Sequence, residues 1–380
     1  MRTSPDAGRR RGRTLARNVL SLAVVAAIFW WAIPHFASYH SVWASIEAMT
    51  AGQLALVAGT AVVSMVSSWI MICAVLPSIG LRQAAVVNLG SNAVANALPA
   101  GGALGMGVSW AMLSSWGVST AEYVLYTLVS GVWNVLTRLG LPVLALVLLA
   151  TAARPSATLI AAAVIGLAVL VAMAVGVRLF LRRDGFARAV GRLLQRPAAL
   201  ACRVARRKPP GELAASMSGF RDRAAGLLAT RGGRISLTTI GSQVALWLVL
   251  LACLRGLGLS QAQVSWQSSL AAYAFIRLLT ALPITPGGAG ITELGLVGVL
   301  AAGADHRVTA QVTAAVLLYR AVTYLPPIPL GALACLLWRH APSVLGQHRQ
   351  VNFPVRSFPA PQPAPLPSGE DENSPDATAA

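Results

Sequence analysis

Apolar residues run along this chain in six blocks, each about as long as a helix needs to cross a bilayer, ~20 residues. They fall near positions 17–37, 54–76, 123–149, 159–181, 235–254 and 309–338. Two further apolar segments, 84–116 and 264–303, are interrupted by asparagines, prolines and glycines. The second holds the run Pro283-Ile-Thr-Pro-Gly-Gly-Ala-Gly-Ile-Thr-Glu293. Hydrocarbon tolerates such backbone only where protein or a water-filled cavity covers it. A weaker form, Ala97-Leu-Pro-Ala-Gly-Gly-Ala-Leu-Gly105, lies in the first segment. The pattern predicts an all-α polytopic membrane protein of about six full spans plus two broken, re-entrant helical hairpins.

Composition agrees. The chain of 380 residues is 56% hydrophobic and only 11% charged, against about 25% charged in soluble domains. Its formal charge of +18 suggests nucleic acid until the positions are read. The basic residues cluster in Arg2–Arg17 and Arg178–Arg234, between apolar blocks. That is the positive-inside pattern, which reports orientation. It puts a basic N-terminus (1–16), a loop at 182–234 and a tail at 341–380 in the cytoplasm, with the transmembrane domain at 17–340. The expected location is the cell's plasma (inner) membrane. The tail is rich in Pro, Ala and acidic residues and is expected to be disordered. The first block is expected to stay as an uncleaved helix, because no small-residue cleavage site follows it.

The two halves share an order of features. Trp69 precedes Gly80-Leu-Arg-Gln-Ala84 at the same spacing as Trp247 precedes Gly258-Leu-Ser-Gln-Ala262. Ala97-Leu-Pro99 then matches Ala281-Leu-Pro283, and Arg138 matches Arg320, each followed by proline. The repeats cover about 54–151 and 232–339. With the charge bias, the first starts and ends outside and the second starts and ends inside. Inverted-topology repeats are thus expected, as in many transporters, with a site where the helices break.

Candidate chemistry follows from what is costly. Arg138, Arg277, Glu293 and Arg320 are the candidate ionisable residues well inside apolar segments, and each costs on the order of 2.5–3.5 kcal/mol at the bilayer centre. Three arginines against one carboxylate suit an anion, because guanidinium binds phosphate through two parallel hydrogen bonds. Glu293 can equally be a structural partner of Arg320 or Arg277. Asn88, Asn92 and Asn96 share one helix face, to line a cavity or to bond neighbouring helices. Pro283, Pro286, Gly287, Gly288 and Gly290, with Pro99, Gly101 and Gly102, are candidate hinges or close-packing positions. Cys73, Cys202, Cys253 and Cys335 are far apart, and no metal or cofactor is implied. No soluble-enzyme motif occurs, so the chain is not expected to be an enzyme.

The stretch Pro286-Gly-Gly-Ala-Gly-Ile-Thr-Glu293 resembles the PGGxGxxE pattern of the lysylphosphatidylglycerol synthetase/flippase transmembrane family. Arg277 upstream, Arg320 with its following prolines, and the Asn- and Gly-rich first hairpin are similar too. The resemblance covers about 17–340. It implies that Glu293, Arg277 and Arg320 are functional, and that the partners are membrane lipids. Well-known members flip aminoacylated phosphatidylglycerol and carry a soluble aminoacyl-transferase domain; here a short proline-rich tail stands in that place, so lipid aminoacylation is not expected. The expected function is a flippase for an anionic phospholipid or polyprenyl-linked intermediate. The alternatives are a secondary transporter of a small anion, or a membrane scaffold or regulator of lipid synthesis.

Overall fold

The computed structural model describes residues 44, 47–97, 101–152, 157–204, 213–280, 288 and 290–340. The first apolar block, Pro99, Pro283, Pro286, Gly287 and the tail lie outside the described residues. Eleven helices longer than a turn follow in order: α1 (Ala51–Val75), α2 (Leu81–Ala97), α3 (Gly101–Ser115), α4 (Thr120–Ala152), α5 (Ala157–Arg182), α6 (Asp184–Val204), α7 (Leu213–Gly256), α8 (Trp266–Leu279), α9 (Ile291–Leu300), α10 (His306–Tyr324) and α11 (Pro327–His340). The described residues contain no strand.

Five helical stretches are long and apolar enough to cross a membrane: Ala51–Val75, Thr120–Leu148, Val164–Arg182, Gly219–Gly256 and His306–Trp338. They coincide with five of the six blocks read from the sequence. The arms α2, α3, α8 and α9 have 17, 15, 14 and 10 residues. At about 1.5 Å per residue, none reaches the ~30 Å of a hydrocarbon core.

The helix starts are written in side chains. Thr50 and Gln53 cap α1 reciprocally, each side chain accepting from the other's backbone N–H. Ser119 and Glu122 do the same for α4. Ser265 opens α8 by accepting from the Ser268 N–H, and Asp305 opens α10 by accepting from the Val308 N–H. These contacts satisfy N–H groups that a helix start leaves unpaired. Glu122 and Asp305 are therefore capping carboxylates. Between α10 and α11, Pro326 and Pro327 supply no N–H, and the helix is interrupted there for two residues.

One difference from the sequence reading concerns 182–234. Much of this loop is helix: α6, and the first half of α7, a continuous helix of 44 residues. That is about 66 Å, twice the hydrocarbon thickness. Helix propensity carries it on past the apolar block, because 213–234 is rich in Ala, Leu and Arg.

Packing is antiparallel and close. α1 lies along the second half of α7; α2 lies along α11 and against α3; α8 lies along α4 and against α9. Three apolar clusters result. The largest joins α7, α8, α9 and α10. A second joins α2, α3 and the end of α1 to α11, and a third ties α1 and α4 to the first half of α7. Missing side chains let the hairpin approach its neighbours. A Cβ on Gly331 of α11 would overlap the Leu89 carbonyl of α2, and one on Gly105 of α3 would sit 2.7 Å from the Ser91 carbonyl. Small residues at such crossings let membrane helices touch backbone to backbone.

Gly331→Leu is therefore expected to separate α11 from α2 and destabilise the protein by about 1–3 kcal/mol. Thermal unfolding in detergent should show the loss. Gly241→Ala, where a Cβ meets nothing within 4 Å, should leave the transition in place.

Candidate functional site

The second hairpin turns at a glycine pair with left-handed backbone, Gly288 at φ +69° and Gly290 at φ +84°. Side-chain-bearing residues seldom adopt this conformation, which accounts for glycine at both positions. Glu293 stands three residues into the helix that follows, buried at 2% exposure. Its Oε2 accepts from the Gly290 N–H at 2.6 Å. Its Oε1 accepts from Arg320 Nε of α10 at 2.7 Å. The carboxylate also sits at the positive end of the α9 dipole. One buried group thus pins the turn, starts α9 and neutralises an arginine of the facing helix.

Arg320 extends the contact to the first hairpin. Its guanidinium lies over the Tyr324 ring, 4.6 Å from the centroid. The Tyr324 hydroxyl donates to the Asn96 carbonyl at 3.4 Å. The ends of both hairpins therefore meet around Arg320 and Tyr324. Asn92 donates from its side chain to Asn88 Oδ1 at 3.2 Å, so these two half-buried amides bond along their own helix. Gly101 and Gly102 are helical within α3. A Cβ on Gly101 would overlap the Ala95 carbonyl, whereas Gly102 faces open space.

A second polar cluster lies between α4, α7 and α8. The buried Tyr273 hydroxyl donates to Gln243, whose Oε1 is 3.1 Å away. Arg277 Nη2 donates to the same Oε1 at 3.4 Å. Gln243 Nε2 donates to Asn134 Oδ1 at 3.3 Å. Arg138 stands one turn after Asn134, and Arg138 and Arg277 lie within electrostatic range of each other. The Nε atoms of both arginines are buried without a hydrogen-bond partner. The four ion pairs among the described residues are Arg188–Asp184, Arg221–Asp184, Arg221–Asp222 and Arg320–Glu293. Arg138 and Arg277 are in none of them. Tyr319, next to Arg320 on α10, is buried.

The structure thus brings Glu293 and Arg320 into one pair and Arg138 and Arg277 into another. It places Asn96 beside the first pair through its backbone. Sequence reading missed Asn134, Gln243, Tyr273, Tyr319 and Tyr324. A signal existed for three of them: Asn134, Tyr273 and Tyr324 each stand one helical turn from an intramembrane arginine, on the same face. Among the described residues no three His, Cys, Asp or Glu side chains gather as metal ligands.

Glu293→Gln should cost up to about 3–5 kcal/mol, because it removes the counter-charge from the mostly buried Arg320 guanidinium. Adding Arg320→Met should recover much of the loss. A double-mutant cycle on thermal stability measures the coupling; additive effects would mean that the pair does not hold the turn.

No curated protein matches the chain. The family model for the lysylphosphatidylglycerol synthase TM region matches residues 18–331, taking in every helix from α1 to α10, most of the sequence on either side of the glycine turn, and Arg138, Arg277, Glu293 and Arg320. Geometry and match agree on a helical membrane region, and the chain belongs to the lysylphosphatidylglycerol synthase transmembrane-region family.

Proposed function

We propose that this protein moves an anionic lipid head group between the two leaflets of the membrane, with Arg138 and Arg277 as its phosphate-binding groups. The observation that carries the reading is the pair of guanidinium groups whose Nε atoms are buried without partners. Uncompensated charge in the bilayer core is costly, and a phosphate or phosphodiester supplies both the charge and the acceptors. The family supports a flippase-like role in lipid transport. An anionic phospholipid or a polyprenyl-linked intermediate is the substrate class proposed.

The packing supports inverted repeats. α2, the first arm of one hairpin, lies along α11 at the end of the second repeat; α8, the first arm of the other, lies along α4 at the end of the first. Reciprocal contacts of this kind are what a two-fold relation between repeats produces. In the proposed cycle the head group sits by Arg138 and Arg277. The Glu293–Arg320 pair latches the second hairpin at Gly290 and opens when the hairpin moves. By charge bias both termini are cytoplasmic and the membrane is the plasma membrane.

Liposomes carrying the purified protein, fluorescent phosphatidylglycerol and an imposed pH gradient test the reading through dithionite bleaching. The full-length protein should expose inner-leaflet lipid. Arg138→Gln with Arg277→Gln should slow this by about tenfold or more, the factor for roughly one charge-assisted hydrogen bond. Wild-type rates in the variant would overturn the assigned site. Flux of inorganic phosphate without lipid movement would establish the small-anion alternative.

A further inference from the structure

We propose that the groove between α4 and α5 is a docking site for an anionic glycerophospholipid taken from the surrounding leaflet, with an acyl chain along the groove and the phosphate on Arg178 and Arg182. The groove holds about 530 Å³ and is lined by Trp133 and Leu136 of α4 and by residues of α5 that include Val171, Val175, Arg178 and Arg182. This lies within the range of about 300–1,000 Å³ typical of small-ligand sites.

Its shape follows from residue size. Toward the far ends of the two helices, glycines bring them together: a Cβ on Gly166 would come 3.1 Å from Val143 Cγ2, and one on Gly140 would come 3.7 Å from Leu170. Toward Arg182 the helices carry Trp133, Leu136 and Val175 instead, and the space between them opens. Trp133 is held from behind, its indole N–H donating to Ser236 of α7 at 2.9 Å.

The chemistry is two-ended. From Ala157 to Val177, α5 is apolar apart from Thr158; Arg178 and Arg182 then follow one turn apart. Both arginines are exposed, and neither is in an ion pair among the described residues. Nearby Asp184 pairs with Arg188 and Arg221. No part of the apolar window of α5 is buried in protein, and Val171 and Val175 are 51% and 47% exposed. The groove therefore opens to the bilayer rather than to water, which selects a lipid over a soluble anion. Charge bias places its arginine end at the cytoplasmic leaflet, where anionic lipid attracts basic residues.

The site is separate from the Arg138–Arg277 pair but shares a wall with it. Trp133 and Leu136 face the groove, while Asn134 faces Gln243 of α7. Its binding chemistry stands alone, and only its place in transport rests on the function proposed above.

Photo-crosslinking of the purified full-length protein in mixed micelles tests it, with phosphatidylglycerol or phosphatidylcholine carrying a diazirine in the acyl chain. Phosphatidylglycerol should label peptides containing 133–136 or 171–182. Arg178→Gln with Arg182→Gln should lower that labelling about tenfold, and phosphatidylcholine should label the wild type about as weakly as that. Ala174→Trp, which fills the groove and keeps both charges, should also abolish labelling. Glycerol phosphate should not compete. Equal labelling by both lipids, labelling confined to other helices, or unchanged labelling in either variant would overturn the proposal. Lipid movement failing while this labelling persists would overturn the function and leave the groove standing.

Discussion

A charge and an interrupted helix can exist inside hydrocarbon only if each satisfies something else, and in this protein Glu293 satisfies both. Its two oxygens divide the work, one accepting from the Gly290 N–H and the other from Arg320. The first contact satisfies the Gly290 N–H at the start of α9. The second removes the need for Arg320 to reach water. Through Tyr324 and the Asn96 carbonyl, the same arginine also reaches the first hairpin. The hairpins, the α10 helix and the glycine turn thus depend on one carboxylate.

The contrast with Arg138 and Arg277 gives the structure its functional asymmetry. Arg320 lies over Tyr324, and Arg277 meets Gln243, which Tyr273 also bonds. Of Arg138, Arg277 and Arg320, Arg320 alone is paired with a carboxylate among the described residues. Gln243 can offer Arg277 a carbonyl oxygen, but its dipole does not cancel a unit charge. Among the described residues the protein neutralises one of these arginines with a carboxylate and leaves the other two to an amide, a tyrosine and each other's field, which is the observation behind the proposed anion site.

Much of this was legible in the residues. Apolar length located four of the five described spans within a few residues, and the end but not the start of the one in α7, which begins at Gly219. Proline, glycine and asparagine marked the two segments that fold as pairs of short helices, and the scarcity of ionisable residues singled out the four that the structure sets into two pairs. Glu293 had two possible partners by sequence; the choice of Arg320 depends on which face α9 turns toward α10, and spacing along the chain does not determine that. Gln243 was hidden for the same reason, since it meets Arg277 only after α7 and α8 pack. The length of α7 was missed because a helix needs no apolar face once it leaves the membrane. The α4–α5 groove depends on glycines that read as ordinary span residues until the helices are set side by side.

The most direct test of the account is a density map of the protein extracted from its own membrane without exchange of lipid. The account predicts phosphate-sized density within hydrogen-bonding distance of both Arg138 and Arg277. Lipid confined to the outer belt, with Arg138 and Arg277 each paired to a protein carboxylate, would contradict it.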